Sequence, residues 1–221
     1  MSWPGARSGR EVLEWARYSG EIELGLALAA SLENFWTTHS PMEGMRWLSV
    51  LLERAGAGLR GELQAGALRA YGSAALITGR FEEGRKYYEA SLAEYRRIGD
   101  ERGIGIMKLR LAVEELRSGN RKAARSLVEE GMCLHRETTF GKGEALALGI
   151  LAQVEMQDGH EDIAFTLFDR SATRAAETGF TWWHAVMLFN LSMLLLNRGR
   201  MSESEAHARE VLPLVIRMGD R

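Results

Sequence analysis

The chain has 221 residues, 46% of them hydrophobic and 26% charged, with 28 Lys and Arg against 30 Asp and Glu and a formal net charge of -2. This balance is ordinary for a folded chain and excludes wholesale disorder, and it makes nucleic acid a poor partner because phosphate binding shows as a basic surplus on one face. The single cysteine, Cys133, excludes an internal disulfide, and no second cysteine is present for a zinc site.

A short helix is expected over residues 1–19. The longest apolar run near the start is "LGLALAASL" (24–32), preceded by Glu21 and Glu23 where a signal peptide carries basic residues. It is far short of the roughly 20 residues that span a bilayer, so a cytoplasmic chain with no membrane partner is expected. In "HSPMEG", Ser40 as N-cap, Pro41 at N1 and Glu43 at N3 predict a capping box. "RAGAGLRG" spells G-x-G-x-x-G with Gly56, Gly58 and Gly61, yet no strand feeds it. The dinucleotide fingerprint needs a strand-to-helix turn, so a flexible connector is predicted instead.

From there a repeat dominates. Gly79, Gly119, Gly159 and Gly199 recur every 40 residues, and five positions later stand Gly84, Ala124, Ala164 and Ser204. Seven positions before each turn glycine stand Gly72, Ala112, Ala152 and Ser192, with Leu32 the exception in the first copy, whose second helix carries Gly44. Small residues at fixed places on successive helices let backbones approach closely. Each turn glycine is expected to end a first helix with φ > 0. The second helices are expected to end near Gly99, Gly179 and Gly219, with Gly141 serving where Thr139 breaks the column. With only three prolines and helical apolar spacing, the fold class expected is all-α, a single domain of antiparallel helix pairs over about 20–59, 60–99, 100–139, 140–179 and 180–221.

The stretch "YGSAALITGRFEEGRKYYEASL", with Gly72, Gly79, Phe81, Gly84, Tyr88 and Leu92, resembles the tetratricopeptide repeat. The period exceeds the family's usual length of about 34 residues, and the proline after the second helix is missing. The longer period and the phrases "EVLEWARYSGEIELGLALAASLENFW", "EGMRWLSVLLERA" and "YRRIGDERGIG" look like the C-terminal repeat region of bacterial LuxR- and SARP-type ATP-binding transcriptional regulators. No G-x-x-x-x-G-K-[ST] occurs, so nucleotide binding is not carried over and no cofactor is expected. The resemblance implies a right-handed superhelical solenoid acting as a detached arm or a fragment of a larger regulator, docking partner proteins or sensing an inducer.

The family's groove positions fall on Ala29, Glu33 and Trp36, then Arg69, Ser73 and Leu76, then Leu109, Val113 and Leu116. They continue with Gly149, Gln153 and Met156 and end with Phe189, Met193 and Leu196. Only Glu33 and Arg69 among them are charged, which argues against a carboxylate clamp. The wall suits a protein partner, either an amphipathic helix or a second copy, or else an apolar small molecule. Gly149 either leaves room for a ligand or permits tight packing.

The five histidines show no metal-ligand spacing, and Cys133 and His135, two apart on a helix, do not share a face. His160, Glu161 and Asp162 are expected in a solvated, capping role at a turn. No enzyme is expected. Trp182 and Trp183 either both pack at a repeat junction or present one ring as an anchor for a partner. In the helix over 181–198 only Asn190 and Ser192 are polar between Ala185 and Leu196, so a third cover beyond the previous repeat and its own partner helix is expected: a groove occupant, a second chain or further sequence beyond Arg221. Pro213 is expected to bend that partner helix after about Arg209.

Overall fold

The computed structural model describes residues 4–135 and 141–219, and among them every regular element is helical. Two compact units divide the chain, residues 1–107 and 108–221. The first contains α1 (Pro4–Ser19), α2 (Ile22–Ser31), α3 (Glu33–His39), α4 (Pro41–Ala55), α5 (Glu62–Ile77), α6 (Phe81–Ile98) and the start of α7 (Glu101–Arg117). The second holds the rest of α7, then α8 (Arg121–His135), α9 (Gly141–Gln157), α10 (Glu161–Glu177), α11 (Thr181–Asn197) and α12 (Met201–Gly219).

The forty-residue period is a period of helix pairs. At each turn glycine the first helix closes in the same way: Gly79, Gly119, Gly159 and Gly199 have φ of 80°, 81°, 84° and 73°. At the first of them the Arg80 N–H donates to the Ala75 carbonyl at 2.9 Å and the Gly79 N–H to Leu76 at 3.0 Å, a Schellman closure. The Asn120, His160 and Arg200 amides repeat the longer bond onto Glu115, Glu155 and Leu195. The chain reverses within three residues, which makes neighbours antiparallel.

The small-residue columns meet at the crossings so formed. A Cβ on Gly72 would lie 2.6 Å from Tyr88 Cδ1 and 3.1 Å from the Gly84 carbonyl oxygen. Ala112, Ala124, Ala152 and Ala164 are all fully buried. Ser192 and Ser204 are also buried, and each hydroxyl donates to the other's carbonyl, at 3.0 and 2.8 Å. The hydroxyls thereby satisfy each other at a buried contact.

Three local expectations need correction. Leu32, bulky where the other copies are small, is where the first helix breaks into α2 and α3, and Gly44 of α4 instead receives the Trp36 ring. Ser40 is the N-cap of α4 with Pro41 behind it, but its hydroxyl makes no capping bond. Glu43 is engaged elsewhere, accepting two 2.6 Å bonds from Arg10 of α1. Gly141 does not end α8. It opens α9, where a Cβ would stand 2.3 Å from Thr178 Cγ2, so the glycine is required by a contact with α10. Pro213 lies inside α12, which is helical from Met201 to Gly219. The Thr139 register lies outside the described residues.

Gly56, Gly58 and Gly61 form a short 3-10 turn and its exit between α4 and α5, as a connector. The Gly61 N–H donates to Glu94 of α6 at 2.5 Å, and Arg97 holds the same carboxylate at 2.7 and 2.8 Å. Arg97 first, then the Gly61 amide, hold the Glu94 carboxyl down at about 2, against the cost of burial. Because the folded value lies below the unfolded one, this contribution is present above the ordinary glutamate range and lost as pH falls through about 2. Urea midpoints measured across that acid window are expected to fall more steeply for the native chain than for Glu94→Gln.

Candidate interaction surface

The projected wall holds both buried and exposed residues. In the first unit its members are largely internal. Trp36 is buried in a cluster with Leu26, Ala29, Leu48 and Leu51, and its Nε1 donates to the Ala29 carbonyl at 2.8 Å. Its place on a binding wall is corrected: the glycine at position 44 opens a slot that only a ring from α3 fills. Glu33 and Ser73 are also buried. Glu33 accepts from Arg69 Nε at 2.9 Å and from Ser73 Oγ at 2.7 Å. Arg69 also donates to the Tyr95 hydroxyl at 3.1 Å, and the Ser73 and Tyr88 hydroxyls are 3.0 Å apart. Burial raises the Tyr95 phenol above its ordinary value. A buried charge must be paired and hydrogen-bonded, and this cluster does that, tying α3, α5 and α6 together.

In the second unit the same register grades from core to surface. Leu109 is fully buried against α9, which corrects its assignment to the wall. Val113, Gln153 and Met156 are half-buried, and Phe189, Met193 and Leu196 are exposed. The reason lies at Gly149, where a Cβ would meet Trp183 and the Met187 sulfur of α11 at 2.7 Å each and Ser171 Oγ at 3.0 Å. Its column faces the next first helix rather than solvent, so the packing reading of Gly149 holds, while Phe189 at the same register is exposed.

The two tryptophans divide. Trp183 is buried, with Nε1 donating to the Ala145 carbonyl at 3.0 Å and the Ser171 hydroxyl at 3.1 Å. Trp182 is half exposed, its ring 5.5 Å from that of Trp183 and 6.5 Å from that of Phe180. Adjacent helical positions point about 100° apart, so one ring faces the core and the other does not. His160 makes no capping bond at the start of α10; its Nδ1 lies 2.7 Å from Glu155, while Glu161 and Asp162 both pair with Arg198. Among the described residues no group of three or more His, Cys, Asp or Glu is arranged to hold a metal, and no helix is long and apolar enough to cross a membrane.

No protein-family model matches the sequence, and no curated protein does. Solved structures do match. BtubC (BKLC) from P. vanneervenii superposes with a TM-score of 0.66 at 16% identity, over 98% of this chain and 90% of that one. A Rap protein complexed with Competence and Sporulation Factor gives 0.66 at 13% identity, over 91% of this chain and 65% of that one. The nearly identical TPR-like repeats of a putative kinesin light chain from Podosopora anserina give 0.57 at 14% identity, over 87% and 95%. At these identities the likeness is one of fold: the chain is an all-α, right-handed solenoid of antiparallel helix pairs of the tetratricopeptide-like kind.

Proposed function

We propose that this chain is a non-enzymatic protein-interaction scaffold of a bacterial signalling or transcription-regulating system, working in the cytoplasm. It binds a partner helix or a second chain through the exposed apolar side chains of its last first helix. The observation that carries this reading is the run of Phe189, Met193 and Leu196 along α11, large apolar side chains standing open to solvent on a helix whose other sides are packed. The fold's use for holding other proteins supports it, as does the Rap neighbour crystallised with a bound factor.

The test is association of the purified chain, by light scattering alone and by titration with candidate regulators. Phe189→Glu or Met193→Glu is expected to weaken complex formation at least tenfold, since buried aromatic anchors carry a disproportionate share of interface energy. Because both side chains are exposed, the melting temperature is expected to stay within a few degrees. Unchanged association in both variants would remove α11 as the binding element.

A further inference from the structure

Beyond the α11 stripe, the first unit carries an exposed apolar face of its own. On α1, Leu13 and Ala16 are fully buried, and a Cβ on Gly25 of α2 would stand 2.9 Å from Ala16 Cβ, so the two helices lie close against each other. Helical spacing then turns Val12 and Trp15 outward on α1, 41% and 53% exposed, and Leu24 outward on α2, 54% exposed. Carboxylates stand around them. Glu11 lies one turn before Trp15, Glu21 and Glu23 stand at the start of α2, and all three are exposed. The cations of this region are engaged elsewhere: Arg10 holds Glu43 at 2.6 Å, Arg17 holds Glu14 at 2.6 Å, and Arg54 of α4 donates to the Arg17 carbonyl at 2.6 Å. Among the described residues no Lys or Arg pairs with Glu11, Glu21 or Glu23.

We propose that this face of α1 and α2 is a second docking surface, and that its occupant is a basic segment of a partner protein in which Lys or Arg is interleaved with aliphatic residues. The aliphatic side chains cover Val12, Trp15 and Leu24, and removing that apolar surface from water drives the association. The cations meet Glu11, Glu21 and Glu23 at the rim, where complementary charge selects the partner and speeds encounter. The indole of Trp15 is also the best aromatic seat for a cation. The neighbouring ring is already used in this way, since the Arg17 guanidinium lies 4.6 Å over Tyr18. A second copy meeting this face with its own would set Glu11, Glu21 and Glu23 against themselves, and like charges across an interface repel. The phosphates of a nucleic acid or of an acidic lipid surface are disfavoured for the same reason.

The probe is a fluorescein-labelled peptide with Leu and Lys at helical spacing, beside a twin in which every Lys is Glu, each titrated by polarisation against the intact protein. Saturable binding of the Lys peptide is expected, at least tenfold tighter than that of the twin. Trp15→Ala is expected to weaken it about tenfold, as loss of an aromatic anchor does. The combined changes Glu11→Gln, Glu21→Gln and Glu23→Gln are expected to weaken it and to flatten its dependence on salt. All four side chains are exposed, so the circular dichroism and melting temperature of these variants should match the native chain. Absence of saturable binding, equal binding of the twin, or an affinity that neither variant changes overturns the proposal. So does light scattering that shows a dimer dissociated by Trp15→Ala, which would assign the face to a second copy. Phe189→Glu is expected to leave the Lys peptide bound as before. Weakening by that change, with Trp15→Ala inert, would put the peptide on α11, so that the scaffold reading stands and this second surface falls.

Discussion

Replacing Trp36 with alanine is expected to destabilise the first unit by about 3–5 kcal/mol, as for other large buried aromatics. The indole is 2% exposed, lies in the main cluster of its unit and donates a 2.8 Å bond to the Ala29 carbonyl. Its slot is cut by Gly44, where a Cβ would stand 2.5 Å from Trp36 Cγ, so no neighbour is placed to refill the space. Alanine therefore leaves a cavity at the join of α3 and α4 and removes the hydrogen bond together. The check is a urea unfolding curve followed by circular dichroism, with Trp182→Ala as comparison. Trp182 is half exposed, and its loss should cost no more than about 0.5 kcal/mol. If Trp36 were a wall residue open to a partner, the two substitutions would behave alike.

That contrast shows what the sequence can and cannot disclose about such a fold. The turn glycines were legible because a positive φ at a helix end admits little else, and all four adopt it. The crossing columns were legible because close backbones tolerate only small side chains. The wall was not, since a first helix has two apolar sides, one against its neighbours and one toward any partner, and residue type does not separate them. Arg69 and Glu33 read as the charged exceptions on an open surface and instead satisfy each other, at 2.9 Å, beside Ser73. Phe189 and Leu109 share a register, yet one is exposed and the other buried. Leu212 and Val215 likewise stand in columns whose other members include Leu92, Tyr95, Ala172 and Ala175, yet both are exposed.

Gly84→Leu is expected to cost about 3 kcal/mol, the upper end of ordinary overpacking, because the obstruction is partly backbone. A Cβ at Gly84 would lie 2.6 Å from Leu76 Cγ, which can turn aside, but also 3.0 Å from the Gly72 carbonyl oxygen, which moves only if α5 and α6 part. Separating them disturbs the Tyr88 ring that fills the space over Gly72, 2.6 Å from where its Cβ would be. Ala124→Leu, at a fully buried position of the equivalent crossing, should act in the same direction. The control belongs at exposed Glu82 rather than Glu83, since Glu83 accepts a 2.7 Å bond from the Tyr71 hydroxyl and is not a neutral site. Urea midpoints for the three leucine variants are the measurement. Equal tolerance at positions 82, 84 and 124 would mean that the crossings do not hold the helix pairs together. Gly84→Ala tests the same point with a single carbon and should lose roughly 1 kcal/mol, because the contact admits no Cβ without movement.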